Sequence, residues 1–436
     1  MKILFRDAVL LPDLSSGAES VSARDARAAV VVDGGYFTYV GQKPPGGEYD
    51  RIIDCRGRLL MPAFYNTHCH AAMTLFRGYA DDLPLSRWLS ERILPAEERL
   101  DYESVYWGTL LAAAEMIRGG IVSFSDMYIF EEATAQAVLE CGMKANLSRG
   151  LVSFDDIPDP ATDRRFSEAV ALWREYDGAG GGRIKVDMAL HAEYTNTKKF
   201  CRHVAGYCRE NGIRMQIHLS ETKEEHGRCI KKYGMTPAAF FEEAGVLDLP
   251  VTAAHCVWLS DEDIGLLLER QVFVSHNPTS NLKLGSGIMP YEKIKSRGIK
   301  ITLGTDGAAS NNNLSILGEM RLASLLHKGV SGDAAAAPAH EIIECATANG
   351  ALAQGRGDCG RIAVGYRADA ILVDLDDVNI LPATDPAAAL VYSADRANIV
   401  LTMCDGVILY EEGEYKSIDV ERVKHNVKRA ASAIFG

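Results

Sequence analysis

The feature that most constrains the fold is an alternation of short apolar segments with longer segments of helical spacing in the middle of the chain. The strand-like segments are LLMPAFYNTHCH, GIVSFSDMY, KANLSRGL, RIKVDMALHAE, RMQIHLSE, VTAAHC, VFVSHNP and IKITLGTDG. Helical spacing marks intervening stretches such as YESVYWGTLLAAAEMIRGG. The number and order of these repeats predict a (β/α)8 barrel. A doubly wound open sheet is the competing fold, but no GxGxxG motif follows an early strand.

Both ends of the chain are rich in strand-like segments of a different kind. KILFRDAVLL and ARAAVVVDGGYFTYVG near the start, and RADAILVDLDDVNILP and IVLTMCDGVILYEEGEYKSID near the end, are apolar runs punctuated by Gly, Asp and Pro. These flanks predict one small sheet domain assembled from both ends. The final stretch VERVKHNVKRAASAIFG has the spacing of a C-terminal helix.

Polar side chains recur where each strand-like segment ends. In chain order they are His68 with His70, Asp126, Arg149, His191, His218 with Glu221, His255, His276 and Asp306. The carboxyl ends of all strands in a parallel barrel share one face, and barrel enzymes carry their chemistry there. Polar residues with only structural roles would be scattered between both ends. The pattern therefore predicts an active site at this face.

Two histidines separated by one residue suggest a metal site. His68 and His70 occupy positions i and i+2 of a strand, so both imidazoles point to the same face. With His218 and Asp306 they form a nitrogen and carboxylate set that suits Zn²⁺ or Fe²⁺ and leaves one position for water. Cys69 should face away from that metal as a small buried residue.

Glu221 lies three residues after His218, just beyond the strand end. A carboxylate there can carry protons between a metal-activated water and a substrate nitrogen. The alternative is a helix N-terminal residue ahead of KEEHGRC.

Composition excludes several other classes of function. The formal charge of −13, without a long basic run, argues against nucleic-acid binding. Ten cysteines without a CxxC pair indicate reduced thiols and a cytoplasmic protein. Arg6 and Asp7 interrupt the N-terminal apolar run, so it is a poor signal peptide, and no apolar stretch predicts a membrane span.

Several motifs resemble the amidohydrolase superfamily, and within it the 5-methylthioadenosine/S-adenosylhomocysteine deaminases. They are NTHCHAAMTLFRGYADDLPLSRWL, LPAEERL, HLSETKEE, AAHCVWL, SHNPTSNLKLGSGIMP and LGTDGAASNN. The resemblance covers nearly the whole chain. It implies an α/β fold with a distorted (β/α)8 TIM barrel over residues 58–360. A small β-sandwich would be built from residues 1–57 and 361–436, including the C-terminal helix.

The resemblance implies one divalent metal ion bound by His68, His70, His218 and Asp306. No Lys ends the fourth strand to form a carbamate bridge, so a single-metal site is expected. Asp306 would accept a proton from water, and His255 would orient the attacking group. Glu221 would deliver a proton to ring nitrogen N1 as C6 is attacked, and ammonia would then leave.

Substrate-binding residues follow from the same resemblance. Glu97 matches a position that accepts hydrogen bonds from ribose hydroxyls, and His191 matches one that contacts the purine or ribose. Arg149 matches one of two arginines that bind the carboxylate of a homocysteine tail. Arg165 is expected to be the second, with the adjacent Arg164 as the alternative. Two arginines at one carboxylate give charge-assisted recognition.

The expected reaction is hydrolytic deamination of an adenosine derivative to the inosine derivative. S-adenosylhomocysteine, 5′-methylthioadenosine, 5′-deoxyadenosine and adenosine all remain open as this small-molecule substrate. A second hypothesis keeps the metal but changes the ring to guanine, 8-oxoguanine, cytosine, a pterin or an s-triazine. A third, a catalytically dead scaffold, is disfavoured because all the ligand and proton-transfer residues are present. Zn²⁺ is favoured over Fe²⁺, and homo-oligomers are possible.

Overall fold

The computed structural model describes residues 1–11, 27–155, 157 and 159–436. Residues 12–26 of the predicted N-terminal domain lie outside the described residues, as do two positions of the loop SFDDIPDPATD, Asp156 and Pro158. The described chain groups into two compact units. The first contains residues 1–65, 114–123 and 315–418, and the second contains residues 66–113, 124–314 and 419–436.

The strands are short, and most of them lie where the sequence predicts. They are β1 Ile3–Val9, β2 Arg27–Asp33, β3 Tyr36–Gly41, β4 Arg51–Asp54, β5 Arg58–Pro62, β6 Phe64–Cys69, β7 Ile121–Asp126, β8 Lys144–Leu147, β9 Gly150–Leu151, β10 Ile184–Val186, β11 Met188–Leu190, β12 Met215–Leu219, β13 Val251–His255, β14 Phe273–His276, β15 Ile301–Leu303, β16 Ala370–Asp374, β17 Ile399–Cys404, β18 Val407–Glu411 and β19 Glu414–Tyr415.

Helices separate most of these strands. They are α1 Leu85–Arg87, α2 Leu94–Glu97, α3 Tyr102–Arg118, α4 Glu131–Cys141, α5 Arg164–Tyr176, α6 Ala179–Gly182, α7 Lys198–Asn211, α8 Lys223–Tyr233, α9 Pro237–Glu243, α10 Asp261–Glu269, α11 Pro278–Lys283, α12 Tyr291–Ser296, α13 Ile316–Ser331, α14 Ala339–Ala346, α15 Ala348–Ala353, α16 Pro386–Ala388 and α17 Val420–Phe435. Several start with a side-chain cap; Thr222 and Glu225, for example, form a reciprocal capping box at α8.

The first unit is built on one sheet from both ends of the chain. Its strands follow the order β19-β18-β17-β16-β5-β1-β2-β3, and β4 pairs with β1. Most neighbours are antiparallel, whereas β1 runs parallel to β4 and β5. Alternate side chains of early and late strands share one apolar core that includes Phe5, Val30, Leu372 and Met403. Strands from the two ends of the described chain therefore join one sheet.

The second unit contains parallel strands alternating with helices, a TIM-barrel-like α/β arrangement. One sheet has the order β10-β8-β7-β6, and the other has the order β15-β14-β13-β12-β11-β9. Two segments expected as single strands are each divided between the sheets. Buried polar groups interrupt them: the Ser148 hydroxyl donates to the Asp126 carbonyl, and the Asp187 carboxylate accepts from Asn146 and Gln216.

The C-terminal helix α17 groups with the second unit, whereas the family resemblance implies that it belongs to the sheet domain. Its last turn explains the grouping. The Arg99 guanidinium donates to the Ile434 carbonyl, and the Phe435 ring lies 4.5 Å from that of Tyr79 and 6.0 Å from that of Phe76. The predicted domain limits at residues 57/58 and 360/361 stay a prediction.

Two further findings concern the whole described chain. All ten cysteines are buried free thiols. None of the helices in the described ranges combines the length and the apolarity that a membrane span requires.

Candidate metal and catalytic site

The candidate site lies at the carboxyl ends of parallel strands in the second unit. His68 is in β6, His218 is in β12 and His255 ends β13, while Asp306 follows β15. His255 and Asp306 both have left-handed backbones, with φ of 71° and 61°. This region is rarely populated by residues other than glycine, and such strain clusters at functional sites. The strand ends therefore turn sharply where the polar side chains meet.

Histidine nitrogens and one carboxylate converge at this face. The Asp306 Oδ1 atom lies 3.5 Å from His68 Nε2 and 3.2 Å from His70 Nε2. These three residues form one group that can hold a metal ion, and His68, His218 and His255 form a second, overlapping group. The rings of His68 and His218 are 4.8 Å apart. The site thus brings together the four residues predicted as metal ligands.

Backbone carbonyls orient two of these histidines. His70 Nδ1 lies 2.7 Å from the Met127 carbonyl oxygen, and His218 Nδ1 lies 2.7 Å from the His191 carbonyl oxygen. A carbonyl can only accept, so each Nδ1 carries the hydrogen, and in the neutral ring Nε2 keeps its lone pair for a metal. The buried Nε2 of His68 has no hydrogen-bond partner among the described residues.

The protonation states of His68, His218 and Asp306 are those that a cation-binding site requires. Burial lowers the pKa of His68 to about 4 and that of His218 well below its usual range, so both rings are neutral. Burial also opposes charge on His70, but its hydrogen bond with Asp306 raises the pKa to about 9. Against the effect of burial, the two histidines hold the pKa of Asp306 well below its usual range. A divalent cation would displace the His70 proton, so the donors fit a metal.

Glu221 lies beside the histidine cluster and is almost fully buried. Its Oε2 atom is 3.8 Å from His255 Nε2, and its Oε1 atom accepts a hydrogen bond of 3.1 Å from the Ser286 hydroxyl. Burial raises the pKa of Glu221 to about 7. A carboxyl group with such a pKa gains and loses a proton near neutral pH, as general acid–base chemistry requires.

Several side chains that contact this site have no role that the sequence predicts. Ser280 donates to Asp306 Oδ2, Asn281 faces His255, and Ser286 donates to Glu221. All three lie within the quoted motif SHNPTSNLKLGSGIMP. Serine and asparagine are too common for the sequence to reveal which of them reach the site. The motif was therefore the only available signal.

Two predicted substrate-binding residues lie next to the histidine cluster. Glu97 ends α2; burial raises its pKa, while Tyr128, His70 and Arg149 oppose the increase. The His191 ring centroid is 4.8 Å from that of His218. Burial lowers the pKa of His191 to about 4, so its ring is neutral. His191 therefore lies against the histidine cluster, and Glu97 interacts electrostatically with His70.

Two of the predicted arginines, Arg149 and Arg164, share one carboxylate. Glu168 accepts hydrogen bonds from Arg149 Nε at 3.0 Å and from Arg164 Nε at 2.7 Å. The Arg149 side chain is 17% exposed, whereas that of Arg164 is 91% exposed. Arg165 is exposed and donates to the Val152 carbonyl at 3.2 Å. The structure therefore brings Arg149 and Arg164 together on Glu168, whereas Arg165 has a backbone partner.

Comparison with known proteins identifies the class to which this site belongs. Residues 59–409 match the model of the Amidohydrolase family. A 5-methylthioadenosine/S-adenosylhomocysteine deaminase of Moorella thermoacetica is 40% identical over 431 residues, which are 98% of each chain. The chain therefore belongs to the amidohydrolase family and, within it, to the family of these deaminase relatives.

Two further matches extend the comparison. A 5′-deoxyadenosine deaminase of Methanothermobacter thermautotrophicus is 40% identical over 424 residues, covering 97% of this chain and 99% of the relative. The crystal structure of an adenosine deaminase from Xanthomonas campestris with bound zinc is 31% identical, with a TM-score of 0.92. That match covers 99% of this chain and 98% of the other. The TIM-barrel-like fold predicted from the sequence is thus confirmed.

Proposed function

We propose that this protein is a metal-dependent hydrolase that deaminates an adenosine derivative. The observation that carries the proposal is the placement of Glu221, a buried carboxyl group with a pKa of about 7, beside a cluster of metal-ligand type. Hydrolytic removal of an amino group from an aromatic ring requires both an activated water molecule and a proton donor for the ring. The printed activities of the relatives support the same reaction.

His68, His70, His218 and Asp306 would hold one divalent ion, and Zn²⁺ is our preferred metal because nitrogen and carboxylate donors suit it. Fe²⁺ accepts the same donors. The zinc bound to the Xanthomonas campestris relative supports this choice. When bound, the ion would supply Lewis acidity and lower the pKa of a water molecule.

The protein's own groups would move the protons. Asp306, whose carboxylate is ionised, accepts a proton from the attacking water. Glu221 delivers its proton to purine N1 as the water oxygen bonds to C6, and His255 Nε2 lies 3.8 Å from this carboxylate to orient the attacking group. The C6–N bond then breaks as Asp306 returns its proton to the leaving nitrogen, and the C6 hydroxyl gives its proton back to Glu221 as the carbonyl forms. The products are the inosine derivative and ammonia, which together contain all the atoms of substrate and water.

Glu97, His191 and the arginines would select the substrate. Glu97 accepts hydrogen bonds from the ribose hydroxyls, and His191 contacts the purine or the ribose. Arg149 and Arg165 bind a tail carboxylate in S-adenosylhomocysteine, with Arg164 as the alternative to Arg165. The exchange of Glu168 for this carboxylate would keep Arg149 paired with an anion. 5′-Methylthioadenosine, 5′-deoxyadenosine and adenosine lack this group and would depend on the other contacts.

The finer architecture belongs to the same proposal. We propose that the two parallel sheets are parts of one distorted (β/α)8 barrel. Bonds between β6 and the β15 region support closure: the Asp306 amide donates to the His68 carbonyl at 2.9 Å, and the Thr67 hydroxyl donates to the Leu303 carbonyl at 2.9 Å.

We also propose that the nine-stranded sheet folds over into a β-sandwich. Its first strands approach the chain that leads into β16. The Phe37 amide donates to the Tyr366 carbonyl, and the Ala368 amide donates to the Gly35 carbonyl, both at 2.9 Å. The ten buried free thiols support a further proposal, that the protein works in a reducing compartment such as the cytoplasm.

An ammonia-release screen tests the function. The protein, loaded with Zn²⁺ or Fe²⁺ and analysed for metal, is assayed with the four adenosine compounds and with guanine, 8-oxoguanine and cytosine. We expect ammonia from at least one adenosine compound and none from the free bases. Release from the free bases alone, or no release by metal-loaded protein, would contradict the proposal.

A further inference from the structure

One short segment of the chain contacts all three residues to which we assign proton-handling or orienting roles. This segment, residues 277–286, includes α11 and the turn that follows it. The Ser280 hydroxyl donates to Asp306 Oδ2 at 2.6 Å, and the Ser286 hydroxyl donates to Glu221 Oε1 at 3.1 Å. The His255 Nδ1 atom lies 2.9 Å from Asn281 Oδ1. The donors and acceptors of the segment are buried.

Each contact uses one atom of its target and leaves the other facing the site. Ser280 donates to Oδ2 of Asp306, while Oδ1 accepts from the Gly307 amide at 2.8 Å and lies 3.2 Å from His70 Nε2. Ser286 takes Oε1 of Glu221, so Oε2 faces His255 Nε2 at 3.8 Å. In both carboxyl groups the segment therefore holds the oxygen that is not the one nearest the histidines.

The third contact selects the tautomer of His255. Asn277 is oriented with Nδ2 donating to the carbonyl oxygens of Gly304 at 3.2 Å and His276 at 3.3 Å. The amide oxygen of Asn277 then lies 3.4 Å from His255 Nδ1. Asn281 Oδ1 lies 2.9 Å from the same nitrogen. An Nδ1–H group facing two amide oxygens is favoured, and the Nε2 lone pair is left facing Glu221.

The backbone of the segment is held independently of these side chains. The Asn281 amide donates to the Asn277 carbonyl at 3.0 Å, and the Ser286 amide donates to the Asn281 carbonyl at 2.8 Å. The Trp258 indole N–H donates to the Ser286 carbonyl at 2.8 Å. Removal of one side chain therefore leaves the path of the segment anchored.

We propose that segment 277–286 is a positioning segment: it presents Asp306 Oδ1 and Glu221 Oε2 to the reacting groups and holds His255 as the Nδ1–H tautomer. The inference rests on the proposed function, because it assigns the presented atoms to the deamination. Buried partners that orient ligands and proton carriers lower the reorganisation needed during reaction.

The tautomer is tested with Asn281→Ala and its conservative counterpart Asn281→Asp. The ¹⁵N NMR signals of His255, assigned by their disappearance in His255→Gln, report the tautomer without any need for activity. We expect Asn281→Ala to lose the single Nδ1–H tautomer and to lower kcat by about 10- to 100-fold with KM little changed. Asn281→Asp keeps an acceptor oxygen and should restore the Nδ1–H signal and part of kcat.

A retained Nδ1–H tautomer in Asn281→Ala would overturn the inference. Because this readout does not depend on turnover, it separates the two hypotheses. A protein that deaminates no adenosine compound but loses the tautomer in Asn281→Ala would contradict only the proposed function.

The serine contacts are tested with Ser280→Ala and Ser286→Ala against the control Ser324→Ala. Ser324 is also a buried serine, but its hydroxyl donates to the Ala337 carbonyl at 2.7 Å. We expect Ser280→Ala to weaken metal binding and Ser286→Ala to lower kcat at normal metal content, each by about 10-fold or more. Ser324→Ala should change only thermal stability. If all three variants behave alike, the serines are structural and the inference fails.

Discussion

The candidate reaction centre and the arginine group are built in opposite ways. At the centre, His70 and His218 are oriented by backbone carbonyls, and Asp306 is 6% exposed. In the arginine group, which comprises Arg149 and Arg164, both guanidinium groups form ion pairs with Glu168, and the Arg164 side chain is 91% exposed. The centre is thus organised before any substrate arrives, whereas the arginines already have an anionic partner that a substrate tail would have to replace.

We infer from this difference that the centre determines the reaction and that the arginine group determines which substrates are preferred. Buried groups with fixed hydrogen bonds keep their strength because little water screens them. The Arg164–Glu168 pair is exposed, and an exposed ion pair contributes only about 0–1 kcal/mol and is exchanged easily for another anion. Changes at the centre should therefore affect every substrate, and changes at the arginines should affect only substrates with an anionic tail.

The largest effect should come from Glu221→Gln, which keeps the shape of the side chain but removes its exchangeable proton. We expect bound metal to be retained and kcat to fall by about 10²- to 10⁴-fold on every adenosine compound. Metal analysis and steady-state kinetics check both parts. Near-normal deamination by this variant would refute the proton-transfer role.

Arg149→Met should affect only one kind of substrate. Loss of a charge-assisted hydrogen bond is expected to cost about 1.5–3 kcal/mol in kcat/KM for S-adenosylhomocysteine. Adenosine, which lacks a tail carboxylate, is the matched control and should be deaminated as before. Equal losses on both substrates would mean that Arg149 supports the fold. Arg164→Met and Arg165→Met, assayed in parallel, identify the second arginine by the same substrate difference.

Gly304→Ala tests how closely the centre is packed. A Cβ atom there would collide with the side-chain amide of Asn277 and would lie 2.7 Å from Ser275 Oγ and 2.8 Å from His68 Cβ. We expect a loss of about 1–3 kcal/mol in the free energy of unfolding, together with weaker metal binding. Gly206→Ala is the control, because Gly206 lies in α7 and an added Cβ would meet nothing within 4 Å. This variant should gain about 0.5–1 kcal/mol in the free energy of unfolding. Equal Tm values for the two variants would show that the centre tolerates expansion.

The smallest effect is expected in the pH dependence of stability. Burial, with the neighbouring Glu225, raises the pKa of Glu193 from an ordinary 4.5 to about 9. Its contribution to stability is therefore fully present below pH 4.5 and is lost as pH rises towards 9. Glu193→Gln stays neutral, so its Tm should rise relative to wild type between pH 5 and 9.

The exposed variant Glu210→Gln controls for the loss of one negative charge. A constant difference in Tm between wild type and Glu193→Gln across this pH range would contradict the burial of a protonated Glu193. This measurement extends the comparison to a buried carboxyl group that belongs to neither the centre nor the arginine group.

Much of the candidate centre is visible in the sequence because its residues end consecutive parallel strands. His68 and His70 are two positions apart on one strand, and His218, His255 and Asp306 follow the same rule on later strands. The divided strands were not predictable. Their breaks depend on buried partners of Ser148 and Asp187 that are distant in the sequence.

The sequence by itself determined the alternation of strands and helices, the family and the residue types that gather at one face, because these follow from local spacing and motifs. Only the tertiary structure decided which atoms those residues present. Ser280, Asn281 and Ser286 are ordinary polar residues until folding sets them against Asp306, His255 and Glu221. Glu168 likewise becomes the partner of Arg149 only in the folded chain. The physical reason is that hydrogen bonds and burial depend on distances in space, which the sequence does not specify directly.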